Sequence, residues 1–488
     1  MHVFCVNVDT PPISAFKALA VNQIPTLATG IPAFVGYTET STDTFFGNLR
    51  DTPFKIASLE EYETHFGNAA PETSIGVAIT DLTPGGASRA IEVTPPHNKQ
   101  PFLMYYSMQL YFSMGGGPCY IVSVGCYSSN STACGSDARI AASDVPRTGA
   151  KDLTRGLNAV ASVSDVTLLA FPDATALLGK AEFYGIYNEA LAQCAALKDR
   201  FTLVDVLGSD IRQASSVEDL RDEITSDPTL GRYGSAFYPF LRTLQSFQFD
   251  AEQIVVEHFS HDNGTGYLNG RSLKDLEGMS SDVYELVVAE IKSLSVVLPP
   301  SSAIAGLMAH SDATRGVWTG LANARMQGVA NVFPITNADN LILQAHDSGK
   351  AVNAIRSFGG VHVTGLYGVR TLSANAPDWW FFTTTRFFSW LHKSLKQGVR
   401  TYAFEPNTSA TWINTKSDIL SFLHNLWKMG ALPGSAFDDG VAYVRVGLGE
   451  TMTQADIEDK VMKVEIGVQW PVAQSEYIVL NITQPMML

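Results

Sequence analysis

Charge is what this sequence has least of. Asp, Glu, Lys and Arg make up 17% of its 488 residues, against roughly 25% in a typical soluble domain. Less surface is therefore built to face water, so either the cores are large or much of the outside is covered by partners. Clustered positive charge is missing too: the formal net charge is −15, and no basic run is longer than a spaced pair, as in "HKSLKQGVR". That excludes a grip on a phosphate backbone, which needs grouped Lys and Arg. Cysteine is sparse and unpatterned. Cys5, Cys119, Cys126, Cys134 and Cys194 form no C-x-x-C pair, so neither a disulfide framework nor a structural zinc site is expected, and the chain suits a reducing compartment. The opening "MHVFCVNVDTPPISAF" lacks a basic segment followed by an apolar one, so no secretory signal is expected. The uncharged stretch Ser293–Ala309 is interrupted by Pro299 and Pro300, which argues against a membrane span. There is no internal repeat and no low-complexity tract.

What is present is a long alternation of apolar elements. A hydrophobic fraction of 45% over this length suits two to four domains. Residues 1–28 are rich in Pro and Thr and read as an extended arm. "IPAFVGYTE" reads as a strand. "KIASLEEYETHFG" reads as a helix with Ser58 and Glu61 as capping box, Tyr62 and Phe66 on one face and Gly67 as its stop. From Pro101 onward Leu103, Tyr106, Leu110 and Met114 recur at helical spacing until Gly115–Gly117 break the pattern, and Cys119–Val124 reads as a strand. Residues 127–150 read as a long loop. Then come an apolar strand at Asp165–Phe171, a helix over Ala181–Lys198, a second strand at Phe201–Gly208 and a helix with Ser216 as its cap. Fully apolar strands alternating with helices predict a parallel sheet covered on both faces, an α/β layer from about residue 151 to about 370. The remainder carries two helical stripes, Phe387–Leu395 and Ile419–Leu426. Thr401–Asn407 reads as a strand between them. Three further strands, "VAYVRV", "VMKVEIGV" and "EYIVLNIT", follow.

Candidate chemistry is thin. Asp205, His258 or His261, and Ser301 or Ser302 stand in an order serine proteases use, but no Gly-x-Ser-x-Gly elbow or Gly-Thr-Ser opening surrounds either serine, and each reads as a helix cap. His258 and His261 with Asp262 have metal-ligand spacing, yet the following "DNGTG" makes them a solvated pair at the end of an element. "GTGYLNG" has one residue too many for a dinucleotide loop. In "SDATRGVWTGLAN", composition leaves two readings open: Arg315 and Trp318 as ligand contacts, or Arg315 paired with Asp312 across a turn and Trp318 wedged between layers. No catalytic, metal or cofactor-binding residue is assigned.

The ordered set of motifs resembles the contractile tail sheath family, the jacket of contractile phage tails and injection systems. "IPAFVGYTE", "KIASLEEYETHFG" and "YFSMGGGPCYIVSVG" are similar to its N-terminal segment, "PPSSAIAGLMAHSDATRGVWTGLAN" to its central signature, and "LYGVRTL", "YAFEPN", "FLHNLWKMGALPG" and "EYIVLNITQ" to later segments. The wording is nearer to injection systems than to phage. The start departs from the family's Pro-Gly-Val-Tyr-like arm. The resemblance implies an α/β and α+β multidomain chain. It would comprise an arm at 1–28, an N-terminal sheath domain at 29–150, a parallel-sheet α/β domain at 151–372, a C-terminal sheath domain at 373–470 and a terminal strand at 471–488. It implies a structural subunit, not an enzyme. Such subunits polymerise as hexameric rings around an inner tube, contract, and associate with copies of themselves and with baseplate and terminator or cap proteins. It implies assembly in the bacterial cytoplasm into a phage tail-like particle, without nucleic acid or membrane insertion. Tyr477, Ile478, Val479, Leu480, Asn481, Ile482 and Thr483 are then expected to leave their own body and pair with a neighbour. Lys416, Asp418 and Lys428 would face the tube. A phage tail sheath and a serine hydrolase are the alternatives.

Overall fold

The computed structural model describes residues 24–96, 102–127, 150–177, 179–262, 264–358, 363–373, 375–437, 441–471, 475 and 477–487. The chain divides into two units, Thr29–Thr385 on one hand and Met1–Ala28 with Arg386–Leu488 on the other.

The larger unit is organised by a nine-stranded sheet. In chain order its strands are β1 (Pro32–Thr38), β2 (Phe54–Ile56), β3 (Cys119–Cys126), β4 (Leu168–Ala170), β5 (Phe201–Asp205), β6 (Gly234–Tyr238), β7 (Arg325–Met326), β8 (Val352–Phe358) and β9 (Val363–Tyr367). They lie in the order β7-β9-β8-β6-β5-β4-β1-β3-β2. The run β8-β6-β5-β4-β1-β3 is parallel throughout. Antiparallel strands finish both sides.

Both faces are buried, as fully apolar strands require. Alternate residues feed opposite cores: Phe34, Leu168, Leu203 and Phe237 one, Val35, Leu169, Val204 and Ala236 the other. Helices α2 (Met104–Ser113) and α4 (Ser301–Arg315) share the first core; α3 (Lys180–Leu197) and Ala150–Val160 share the second. Helix α1 (Leu59–Phe66) starts as expected, with the Ser58 side chain accepting from Glu61 N–H, and stops at Gly67 with φ 79°. The sheet crosses the domain edge expected at residue 150, because β1 pairs with β4 as well as with β3. A separate lobe holds Val256–Phe259, Gly76–Asp81 and Arg89–Thr94 in one sheet. Helices Leu273–Met279 and Ser281–Ser293 cover it around Ile79, Val256, Leu276 and Val287.

Several local expectations change. Ser216 lies inside the helix Ala214–Glu223 and does not cap it. Residues Arg400–Phe404 form a 3-10 turn instead of a strand. Helix α4 begins at Ser301 itself and runs to Arg315. Arg315 donates to Ser311 Oγ at 3.0 Å, while Asp312 accepts from Thr29 Oγ1 at 2.9 Å. Asp312 ties the helix to the chain entering β1, and Gly316 at φ 88° ends the helix where a Cβ would strike the Trp318 ring at 2.4 Å. Cys126 is disulfide-bonded, where a fully reduced chain was expected, while Cys119 and Cys194 are free and buried.

Candidate assembly site

The smaller unit is built around helix α5 (Phe382–Val399), of which it holds Arg386 onward, helix α6 (Ser409–Lys428) and a three-stranded antiparallel sheet. The strands are β10 (Val441–Arg445), β11 (Val461–Val468) and β12 (Ile478–Pro485), in that order. The aromatic stripe of α5 supplies the core: Phe387 stacks on Trp470 at 4.5 Å, and Trp390 lies 6.1 Å from Phe422 of α6. Trp390 Nε1 donates to Leu27 O at 2.8 Å, and a Cβ at Gly398 would meet Ile24 at 2.5 Å. The end of the N-terminal arm is thereby seated on α5.

β12 is the expected terminal strand, beginning at Ile478 one residue after Tyr477, whose ring meets Tyr443 edge-on at 5.2 Å. Its pattern is strict: Ile478, Leu480, Ile482 and Gln484 are buried, while Val479, Asn481, Thr483 and Pro485 are exposed. It does not stand free of its own body. Eight consecutive residues pair with β11 without a register shift, from Val461 opposite Pro485 to Val468 opposite Ile478. The ladder is extended by Met486 N–H to Lys460 O at 2.7 Å and Met487 N–H to Ala403 O at 2.6 Å. In the single chain the apolar residues at every second position of β12 find cover on the β11 edge. The other side of β12 pairs with no strand among the described residues. It is long, uncharged and unbulged, with none of the Lys residues or inward charges that normally protect a sheet edge.

The three residues expected to face a tube do not lie together. Asp418 accepts a hydrogen bond from Tyr402 OH within the unit. Lys416 lines a shallow groove with Ile413, Leu420, His424, Asn425 and Phe437, and Lys428 is exposed at the end of α6. The exposed Ile413 was the available signal for this groove, an apolar residue on the helix face opposite the buried stripe.

The hydrolase candidates separate. Asp205 does meet Ser301, accepting from its N–H at 2.9 Å and its Oγ at 2.7 Å, and Tyr187 OH lies 3.3 Å away. His258 is on the lobe strand Val256–Phe259, fully buried, with Nε2 3.2 Å from Asp81 and Nδ1 accepting from Leu268 N–H. It is not the solvated residue the sequence suggested. The Asp205–Ser301 pair is a helix cap delivered from a distance, since Pro300 at the N-cap of α4 supplies no side-chain bond. Asp173 does the same for α2, accepting from Leu103 N–H at 2.6 Å and Met104 N–H at 3.0 Å, and it also takes Tyr37 N–H at 2.6 Å. Burial pushes both carboxyl groups up to about 7, with these hydrogen bonds pulling the other way. Gly36 allows the approach of Asp173: a Cβ there would lie 2.4 Å from its carboxylate. Among the described residues no group of three or more His, Cys, Asp or Glu could hold a metal ion.

No protein-family model matches the chain, and no curated protein sequence does. Solved structures do. A chain of the anti-feeding prophage baseplate in its contracted state is 21% identical, covers 95% of this chain and 94% of its own, and has a TM-score of 0.63. The PVC sheath of an extracellular contractile injection system, also contracted, is 20% identical with 95% of each chain covered and a TM-score of 0.58. A sheath tail protein from Listeria innocua is 9% identical, with 97% of this chain and 99% of that one covered and a TM-score of 0.50. This chain therefore has the contractile sheath fold over nearly its whole length.

Proposed function

We propose that this protein is the sheath subunit of a contractile injection system. Copies stack as hexameric rings around an inner tube and shorten to drive that tube through a target envelope, with baseplate and cap proteins at the ends. The observation that carries the reading is end-to-end correspondence: the match covers 95% of the chain and 95% of the PVC sheath chain. The edge of β12, which pairs with no strand among the described residues, supports it, because an open backbone edge on a helically repeating subunit is completed by a neighbour. The injection-system branch is favoured by the match to the PVC sheath of an extracellular contractile injection system at 20% identity, against 9% for the sheath tail protein of Listeria innocua. On this reading residues 477–483 join adjacent copies, and the α6 groove with Lys416, together with Lys428, faces the tube. Asp418, held by Tyr402, does not. Negative-stain microscopy of the purified protein tests the proposal: tubes or rings are expected, and a particle that stays single at high concentration would overturn it. A serine hydrolase is disfavoured because the Asp205–Ser301 pair carries no histidine, and labelling by a serine-reactive probe would reverse that judgement.

A further inference from the structure

We infer that the aromatic tip of the hairpin Thr42–Asn48 docks on the outward face of the helix Asn337–Gln344 of a second copy of this chain, joining the larger units of neighbouring subunits head to tail. The inference rests on the sheath reading and adds to it a contact between bodies in which β12 takes no part.

The tip is the most exposed aromatic surface among the described residues, Phe45 at 86% and Phe46 at 67%. Water disfavours that arrangement, yet the fold holds it in place. Asp43 Oδ1 accepts from the N–H groups of Phe45 and Phe46, both at 2.7 Å, and the other carboxylate oxygen lies 3.3 Å from His65 Nδ1. Gly47 turns the chain at φ 75°. The two rings meet edge-on at 5.0 Å, and Phe46 lies 6.2 Å from Phe54 of the edge strand β2. The result is a narrow convex turn with two rings set at its end.

The helix Asn337–Gln344 is amphipathic the wrong way round. Ala338, Leu341, Ile342 and, at its C-terminal end, Ala345 have the spacing of an apolar stripe. All four are exposed, Leu341 at 69% and Ile342 at 62%, while Asn340 and Leu343 are buried. Ile211, 52% exposed, broadens the stripe, because the Arg212–Asp339 ion pair brings its segment beside the helix. A capping box of Thr336 and Asp339 starts the helix, and Arg221 donates to Ile342 O at 2.7 Å near its end. A surface helix ordinarily turns such a stripe to the core; one that faces out marks a place of contact.

Position in the sheet decides the occupant. The tip stands at β2, the last strand on one side, whereas Gln344 donates to Val352 O of β8 at 2.9 Å. The order β8-β6-β5-β4-β1-β3-β2 puts six strand spacings between them, roughly 30 Å at ~4.8 Å each. The two features therefore do not meet within one chain. A convex tip and an apolar face toward opposite sides of one sheet meet between copies, and because they differ, the contact repeats in one direction and stays open-ended. Size argues the same way. Two rings exposed to this extent offer roughly 300 Å². Covering as much on the helix buries about 600 Å², half or less of the ~1,200–2,000 Å² of a stable pair. A freely diffusing partner would not stay on that area; a copy already held by other contacts would.

Removing exposed side chains should leave the fold intact, so polymer and fold can be read separately. Phe45→Ser with Phe46→Ser, and Leu341→Ser with Ile342→Ser, are each expected to leave thermal unfolding of the free subunit unchanged. Each should lower sedimentable polymer roughly tenfold at a fixed subunit concentration, as loss of central apolar anchors would. Direction is read by cross-linking. Thr44 and Ala338 are exposed beside the two features. In polymer of the T44C/A338C variant a short bismaleimide is expected to give a ladder of multimers, and neither single variant should give one. The chain with native cysteines only is the baseline. The inference is overturned if either serine variant polymerises like the wild type, if T44C alone dimerises tip against tip, or if the double variant gives no ladder. Flotation of the wild-type protein with phosphatidylcholine vesicles, lost in F45S/F46S, would assign the tip to a membrane surface and overturn it as well. Should the wild-type protein form no polymer, the sheath reading fails by itself. The same cross-linking in concentrated solution then decides the contact, a ladder supporting it and its absence overturning it.

Discussion

The two sheets of this molecule treat their edges in opposite ways. The nine-stranded sheet of the larger unit ends on the two-residue strand β7 at one side and the three-residue strand β2 at the other. Its long strands are all interior, covered on both faces, and two buried aspartates tie the overlying helices to it. The three-stranded sheet of the smaller unit ends on the eight-residue strand β12. It has one face toward helices, one toward solvent, and an uncharged side that pairs with no strand among the described residues. Short edges close a body; a long bare edge invites another chain. The contrast teaches that in this fold the sheet buried on both faces has short edge strands while the half-exposed sheet ends on a long one.

Substitutions can break or sharpen that contrast, and the largest effect is expected where the larger unit is tied together. Asp173→Ala leaves three buried backbone N–H groups, of Tyr37, Leu103 and Met104, without their acceptor. A loss of about 3–5 kcal/mol in urea unfolding is expected. A loss under ~1 kcal/mol would mean that this carboxylate does not hold α2 to the sheet. Next is Ile482→Ala in the smaller unit, which removes a buried side chain from the edge strand. A loss of about 2 kcal/mol is expected, at the low end for such changes because an edge can relax. It should also raise hydrogen exchange along β12 while leaving the nine-stranded sheet protected. Equal loosening of both sheets would erase the distinction between them. Then comes Gly306→Ala, whose new methyl would lie 2.5 Å from Tyr111 O and 2.7 Å from Met114 Cβ. Forcing α2 and α4 apart should cost about 1–3 kcal/mol.

The sequence made the first of these sheets partly readable and the second more so. Asp165–Gly208 betrays a parallel layer because strands covered on both faces must be apolar at every position. That β1 and β3 extend the same sheet was hidden, since periodicity says which way side chains point and not which strand lies alongside. Thr401–Asn407 misled because a short apolar run fits a turn of helix as well as a strand. His258 left a readable trace: in Val256–Phe259 it shares the parity of Val256 and alternates with Glu257, an inward position on a strand. The remote caps left one as well. Leu103 and Pro300, at the starts of α2 and α4, cannot cap with side chains, so an acceptor had to come from elsewhere in the chain. Strand β12 was legible as a strand in "EYIVLNIT", but its self-pairing was not, because one edge pattern fits its own sheet and a neighbour's equally.

The smallest effect separates the two buried aspartates from one another. Asp205 is met by Ser301 Oγ and Tyr187 OH, hydroxyls that can donate or accept, besides the Ser301 N–H. Asp173 is met only by N–H donors. An amide therefore finds partners at 205, its NH₂ facing a hydroxyl, whereas at 173 its NH₂ would confront Tyr37 N–H. Asp205→Asn should cost less than ~1 kcal/mol, well under the loss for Asp173→Asn. The pH dependence follows from the same groups. Burial raises both carboxyl groups to about 7 in the folded chain, above the roughly 3.9 of an unfolded aspartate. At these two sites the folded state then holds more protons than the unfolded state between those values, so their contribution to stability is greatest near pH 4 and falls as pH rises toward 7. Asp205→Asn removes one of the two titrating groups and should flatten that slope in urea titrations between pH 4 and 7 without abolishing it. An unchanged slope would mean that Asp205 stays ionised across the range, its hydrogen bonds outweighing its burial.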